Sequence, residues 1–142
     1  MKFLLDTDHI SILQRQGGAE FIALSTRIAQ QQPADLAFSV MSFHEQVLGC
    51  HTYLNRARTS ADVVRGYGML NRVLNDFSAA QLLPFDIIAA ATLDGLLAQR
   101  IRLASMDLRI ASIALSRGLT VLTRNTRDFS RVPGLLTEDW TV

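Results

Sequence analysis

Residues 107–123 read DLRIASIALSRGLTVLT, a run that contains a helix, its stop signal and a strand. Leu108, Ile110, Ala111, Ala114 and Leu115 fall on one helical stripe, and Gly118 stands where a helix-terminating glycine belongs. The LTVLT that follows at 119–123 is short and apolar, as a buried strand is. Towards the N-terminus the same alternation repeats. Residues 2–6 (KFLLD) are an apolar run ending in an acid, and 7–15 read as a short helix with Thr7 or Asp8 as its N-cap. A polar-rich helix over 19–31 is broken by Pro33, after which Leu36 to Val40 form a second strand. Helices are predicted over 42–57, over 60–78 with Ser60 as N-cap, and over 86–101, with a brief strand from Leu82 to Phe85. This alternation predicts an α/β fold: a mostly parallel sheet flanked by helices on both faces, an α/β/α sandwich whose sites form outside the carboxyl ends of the strands.

A chain of 142 residues, 49% hydrophobic and 19% charged, can bury one core, so a single domain spanning 1–142 is expected. Asp86 and Asp94 interrupt the most hydrophobic stretch, which falls short of the ~20 residues of a membrane span. The N-terminus shows neither a basic leader nor a small-residue cleavage site, and the expected location is the cytoplasm. Cys50 is the lone cysteine, in an apolar segment, and reads as a buried thiol.

A net charge of +1 conceals an asymmetry. Between residues 100 and 131, Arg100, Arg102, Arg109, Arg117, Arg124, Arg127 and Arg131 stand against Asp107 and Asp128, a local balance of seven minus two, or +5. Such a surface suits a polyanion. A solvated arginine-rich face accounts for the same charges, because no aromatic residues are interleaved to stack on bases, and charge alone leaves both readings open.

Four acids carry the chemistry. Asp6 ends the first predicted strand, Glu45 lies near the start of the helix after the second, Asp107 begins the 107–116 helix, and Asp128 follows the strand at 119–123. Singly, Asp107 reads as a helix cap and Asp128 as a turn residue, with a helix-end stabilisation of ~0.3–1 kcal/mol. Four acids on one edge of a sheet are a poor coincidence. Carboxylates brought together without a counter-charge repel one another, so a fold that gathers them does so around a divalent cation. Hard oxygen donors of this type select Mg²⁺ or Mn²⁺ over zinc.

Other chemistries find less support. His44, Cys50 and His51 are near one another in sequence, but no further nitrogen or thiolate ligand stands at a zinc-binding spacing. His9 is read as a helix-start residue at the mouth of the cleft, and Met41, Phe43 and Val47 as core. LLDTD also resembles the opening of haloacid-dehalogenase-like phosphatases, but they and the receiver domains need a lysine late in the chain, and the only lysine is Lys2. The same absence excludes a P-loop, and no GxGxxG is present.

LLDTDHIS at 4–11, SVMSFHEQVLG at 39–49, DLRIASIAL at 107–115 and LTRNTRDFSRVPGL at 122–135 together resemble the PIN-domain ribonucleases, and within them the small VapC-like toxins of bacterial toxin–antitoxin pairs. The resemblance spans almost the whole chain. It implies a PIN-like domain and a Mg²⁺- or Mn²⁺-dependent endoribonuclease that hydrolyses RNA phosphodiester bonds. Asp6, Glu45, Asp107 and Asp128 match the family's metal-binding, catalytic acids, and Thr7 and Asn125 match supporting polar positions. Asp6, Glu45 and Asp107 would hold a first ion. Asp128 would bind a second, act through a water, or orient the attacking water. The resemblance also implies a VapB-like antitoxin whose tail blocks the acidic cleft, and a homodimer. Val63, Val64, Tyr67, Leu70, Val73 and Leu74 lie at helical spacing and face either the core or another subunit; core is the reading adopted. Two positions depart from the pattern: Asp8 stands where many relatives carry Asn, and Ala104 replaces a glycine often found before the third acid. Arg109, Arg124 and Arg127 are the candidate RNA contacts. The alternative is a catalytically silent PIN-like module that binds RNA or protein, against which the retention of all four acids argues. No motif reports whether the target is transfer, messenger or ribosomal RNA.

Overall fold

The strand β1 (Phe3–Leu5) lies at the centre of a five-stranded parallel sheet in the computed structural model, which describes residues 1–142. On one side it pairs with β2 (Leu36–Ser39), which pairs with β3 (Leu82–Leu83); on the other it pairs with β4 (Thr120–Leu122), which pairs with β5 (Thr137–Glu138). The order β3-β2-β1-β4-β5 reverses direction between β1 and β4, and in open parallel sheets ligands bind at such a reversal.

Consecutive strand residues point to opposite faces, so Leu4 and Leu5 enter two different cores. Leu4, Ala37, Leu83 and Val121 pack with residues of α5 (Ile87–Ala98) and α6 (Ser105–Arg117). Leu5 and Leu122 pack with residues of α1 (Thr7–Arg15), α2 (Gly18–Ala29), α3 (Val40–Asn55) and α4 (Ser60–Ser78), closed by Trp140. A short helix, α7 (Thr126–Phe129), follows β4. The expected α/β/α sandwich is present.

Most predicted elements are present with shifted ends. The cap of α1 is Asp6 itself, not Thr7 or Asp8, and its side chain accepts from the Thr7 N–H. The α4 cap is Thr59 rather than Ser60, in a capping box with Asp62. Val40 belongs to α3 rather than to β2, because the Ser39 hydroxyl accepts from the Ser42 N–H and starts the helix there. The strand read at 82–85 stops at Leu83, since Pro84 has no N–H for the ladder. Cys50, as expected, is buried.

The apolar stripe of α4 divides. Val73 is buried and Leu70 partly so, but Val63, Val64, Tyr67 and Leu74 are exposed, which corrects their assignment to the core. The helix packs through another line, Gly66, Val73 and Phe77, and a Cβ at Gly66 would collide with Leu54 of α3. A second exposed apolar surface lies on α5, where Ile87 is 85% and Ile88 61% exposed. That helix is apolar around its circumference yet buries only Ala89 and Leu96.

Candidate active site

Asp6 is the first residue beyond β1, and its backbone N–H still bonds to the Leu122 carbonyl at 2.9 Å, so it is held at the junction of β1 and β4. One carboxylate oxygen accepts from the Thr7 N–H at 2.8 Å and the other from the Thr123 hydroxyl at 2.7 Å. The side chain is 7% exposed. Burial is the main reason its pKa rises from 3.8 to about 6; the charges of Asp8 and Asp107 add to the rise, and the two hydrogen bonds oppose it.

Glu45 lies in α3 and faces α1. The Thr7 hydroxyl stands 3.1 Å from its Oε1 and 2.8 Å from the hydroxyl of buried Ser42. Burial again leads the upward shift of Glu45, the Thr7 hydrogen bond opposes it, and the charges of Asp107 and Asp8 add to it. Asp107 occupies the first turn of α6, which starts two residues earlier at Ser105, so it is not the helix's first residue. Its pKa is raised by burial and by the charges of Asp128 and Asp8. Asp128 lies in α7, where Asn125 Nδ2 donates to it at 3.1 Å and Arg131 pairs with it at 3.5 Å.

The topology therefore brings the four predicted acids to one edge, each from a different element, with Thr7 against Glu45 and Asn125 against Asp128. As placed, no three Asp, Glu, His or Cys side chains form a set that could hold a metal. The donor chemistry nonetheless suits a hard cation, being all carboxylate, and the upward shifts of Asp6, Glu45 and Asp107, caused first by burial and then by neighbouring carboxylates, are ones that a cation would relieve. Glu45 borders a cavity of about 1110 Å³ between α1, α3 and α4, lined by Ile10, Phe38, Cys50 and Val73 among others. Asp107 and Asp128 border a smaller one of about 550 Å³.

Of the candidate RNA contacts, Arg124 turns its guanidinium to Glu20 at 3.3 Å and is not directed at the acids. Arg127 is exposed on α7 and Arg109 is half-buried on α6. The arginines that border the cavity of Asp107 and Asp128 are Arg102 and Arg131. Asp8, noted from the sequence as a candidate cap and as a departure, adds its charge to the shifts of all three raised acids. Thr123 was missed altogether, although its place at the carboxyl end of β4 matches that of Asp6 at the end of β1. His9 is not at the cleft mouth: its side chain is fully buried.

No protein-family model matches the chain. It is 30% identical over 144 aligned residues to the tRNA(fMet)-specific endonuclease VapC of Salmonella typhimurium, with 99% of this chain and 98% of that protein covered. The chain belongs to the VapC family of ribonucleases. The VapC of Shigella flexneri, also named a tRNA(fMet)-specific endonuclease, is 42% identical over 67 residues, a match spanning 44% of this chain and 51% of that protein. Among solved structures, VapBC-1 from nontypeable Haemophilus influenzae superposes with a TM-score of 0.78 over 100% of both chains at 22% identity. FitAcB from Neisseria gonorrhoeae gives 0.70 over 99% of both at 26% identity. The VapC assignment agrees with the parallel-sheet fold that these solved structures share with the chain.

Proposed function

We propose that this VapC-family protein is a Mg²⁺- or Mn²⁺-dependent endoribonuclease that hydrolyses RNA through Asp6, Glu45, Asp107 and Asp128. The observation that carries the reading is the gathering of Asp6, Glu45 and Asp107, each raised in pKa first by burial and then by neighbouring carboxylate charge, at the reversal point of the sheet with no basic side chain hydrogen-bonded to any of them. Asp6, Glu45 and Asp107 would hold the ion, and Asp128 would bind a second ion, act through a water, or orient the attacking water. A divalent ion bound there supplies an activated water and neutralises charge on the phosphate.

The chain's own groups do the rest. Thr123 and the Thr7 N–H fix both oxygens of Asp6, and the Thr7 hydroxyl holds Glu45, so two carboxylates are oriented before substrate arrives. Asn125 orients Asp128 in the same way. Arg102 and Arg131, beside Asp107 and Asp128, are placed to meet the RNA backbone, with Arg109 and Arg127 as further contacts.

The substrate class to test first is transfer RNA, since the Salmonella and Shigella relatives are named for it. The purified protein is expected to cut labelled transfer RNA with Mg²⁺ or Mn²⁺ and not with chelator, and to lose this in an Asp6→Asn, Asp107→Asn variant. Cutting that survives chelation would reject the metal dependence, and no cutting from a folded protein against transfer, messenger and ribosomal RNA would reject the reading in favour of a silent binding module.

The neighbouring structures are toxin–antitoxin complexes, which supports an antitoxin partner of the VapB kind. The cavity between α1, α3 and α4 opens beside Glu45 and has the apolar lining that an antitoxin segment needs to reach the acids. A homodimer is supported by the exposed isoleucines of α5 rather than by α4 alone. Sedimentation at micromolar concentration is expected to give twice the chain mass, and an Ile87→Glu, Ile88→Glu variant the single mass; a wild-type monomer would remove the dimer.

A further inference from the structure

His9 sits three residues beyond Asp6, fully buried, and makes no hydrogen bond to Asp6, Glu45, Asp107 or Asp128. Both ring nitrogens are engaged. The Trp140 backbone N–H donates to Nε2 at 3.2 Å, so Nε2 carries no proton. The ring proton is then on Nδ1, which lies 2.7 Å from Asp8 Oδ1. The Asp139 carboxylate is 3.7 Å from Nε2, but the oxygen concerned already accepts from Thr141 N–H at 2.8 Å and Thr141 Oγ1 at 2.6 Å. The nearer Trp140 N–H decides the tautomer.

Asp8 passes that constraint on. Its Oδ2 accepts from the Arg124 N–H at 2.9 Å, with the Thr123 hydroxyl a further 3.3 Å contact. The Thr123 hydroxyl accepts from the Asn125 N–H at 3.0 Å and gives its proton to Asp6 at 2.7 Å. Asn125 in turn donates its side-chain amide to Asp128. The loop between β4 and α7 thus supplies a partner to Asp6 and a partner to Asp128, and Asp8 holds that loop by its backbone.

We infer that His9 is a positioning residue for the VapC reaction: its Nδ1–H fixes Asp8, and Asp8 fixes the 123–125 loop that aligns Asp6 and Asp128. The inference rests on the nuclease reading for its effect on rate, and on donor and acceptor parity for its geometry. Asp8 receives protons at both oxygens, from His9 and from Arg124, so an amide at this position would turn a donor on one of two donors. An Asn at position 8 and a His at position 9 held by Trp140 are therefore mismatched. The departure at position 8 and the histidine beside it form one unit.

The first measurement is a long-range proton–nitrogen correlation spectrum of the metal-free protein labelled with ¹⁵N-histidine. His9 is expected as the Nδ1–H tautomer with a slowly exchanging ring proton, and Asp8→Asn is expected to speed that exchange or change the tautomer. An Nε2–H or doubly protonated ring in the wild type would overturn the inference whatever the RNA assay shows.

The second is kinetic. His9→Leu is expected to lower kcat roughly 10–100-fold with little change in KM, as loss of a residue behind a ligand does. His9→Asn, which can present an amide donor near the Nδ1 position, is expected to recover most of it, and His9→Leu with Asp8→Asn to fall no further than the worse single variant. A folded His9→Leu with wild-type kcat, or fully multiplicative losses in the double variant, would overturn it. If His9→Leu does not fold, the spectrum of Asp8→Asn decides alone, unchanged exchange counting against the inference. A wild type that cuts no RNA while showing the predicted tautomer would sink the nuclease reading and leave the loop-holding geometry standing.

Discussion

Replacing Asp6 by Asn is expected to lower RNA cleavage by about 10³-fold while making the metal-free protein more stable at pH 7. The loss follows from removing a charge used to hold the ion: several kcal/mol of transition-state stabilisation is at stake, and each ~1.4 kcal/mol is tenfold in rate. The gain in stability follows from burial. A carboxyl whose pKa rises from 3.8 to about 6 on folding binds its proton more tightly in the folded state than in the unfolded one. The folded state is thus favoured below the unfolded value, and that advantage is lost as pH rises through about 6. Roughly 2–4 kcal/mol is involved, at ~1.4 kcal/mol per tenfold change in proton affinity. Asn cannot ionise, it can still cap α1, and its variant should match the wild type near pH 4 and exceed it by pH 7. Denaturant melts of both proteins across that range in chelator measure the gap directly. A variant less stable than wild type at pH 7, or a gap that does not grow with pH, would contradict the electrostatic account of the site.

Divalent metal is expected to reverse the wild-type penalty. At pH 7 a saturating ion binds only the folded arrangement of carboxylates and stabilises it by about 2.7 kcal/mol at a hundred times its dissociation constant, on the order of 5–10 °C in Tm for a domain of this size. Mg²⁺ and Mn²⁺ should both raise Tm at pH 7 and do so less at pH 4.5, where protons compete for Asp6. The rise should vanish in the Asp6→Asn, Asp107→Asn variant. Calorimetry with each ion against chelator checks this without any RNA present, and no rise with either ion would take metal out of the mechanism.

The elements with strong periodicity were legible from sequence. The unit at 107–123 is a helix ended by Gly118 in the left-handed conformation and followed by a buried strand, and the acids lie together because each closes or opens such a unit. What was not legible depends on distant partners. Asp6 caps α1 because β4 holds its backbone in the sheet, a fact absent from the local sequence DTDH. The two residues of β5 carry no alternating pattern; β4 and the need to cover its edge define them. His9 looked like a helix-start residue because the backbone group that fixes its ring lies 131 positions away. The α4 stripe misled because the helix packs through Gly66, which leaves no hydrophobic mark, and turns Val64 and Tyr67 outwards.

The bond from Thr123 to Asp6 joins residues 117 positions apart, and the strands behind it, β1 and β4, are separated by nearly as much chain. Closing so long a loop costs entropy before any contact repays it, whereas neighbours such as α3 and α4 can pair early. Assembly of the acids is therefore expected to lag the pairing of neighbouring helices during refolding. Catalytic competence then waits on the pairing of β1 with β4, so a partly unfolded toxin is a disarmed one.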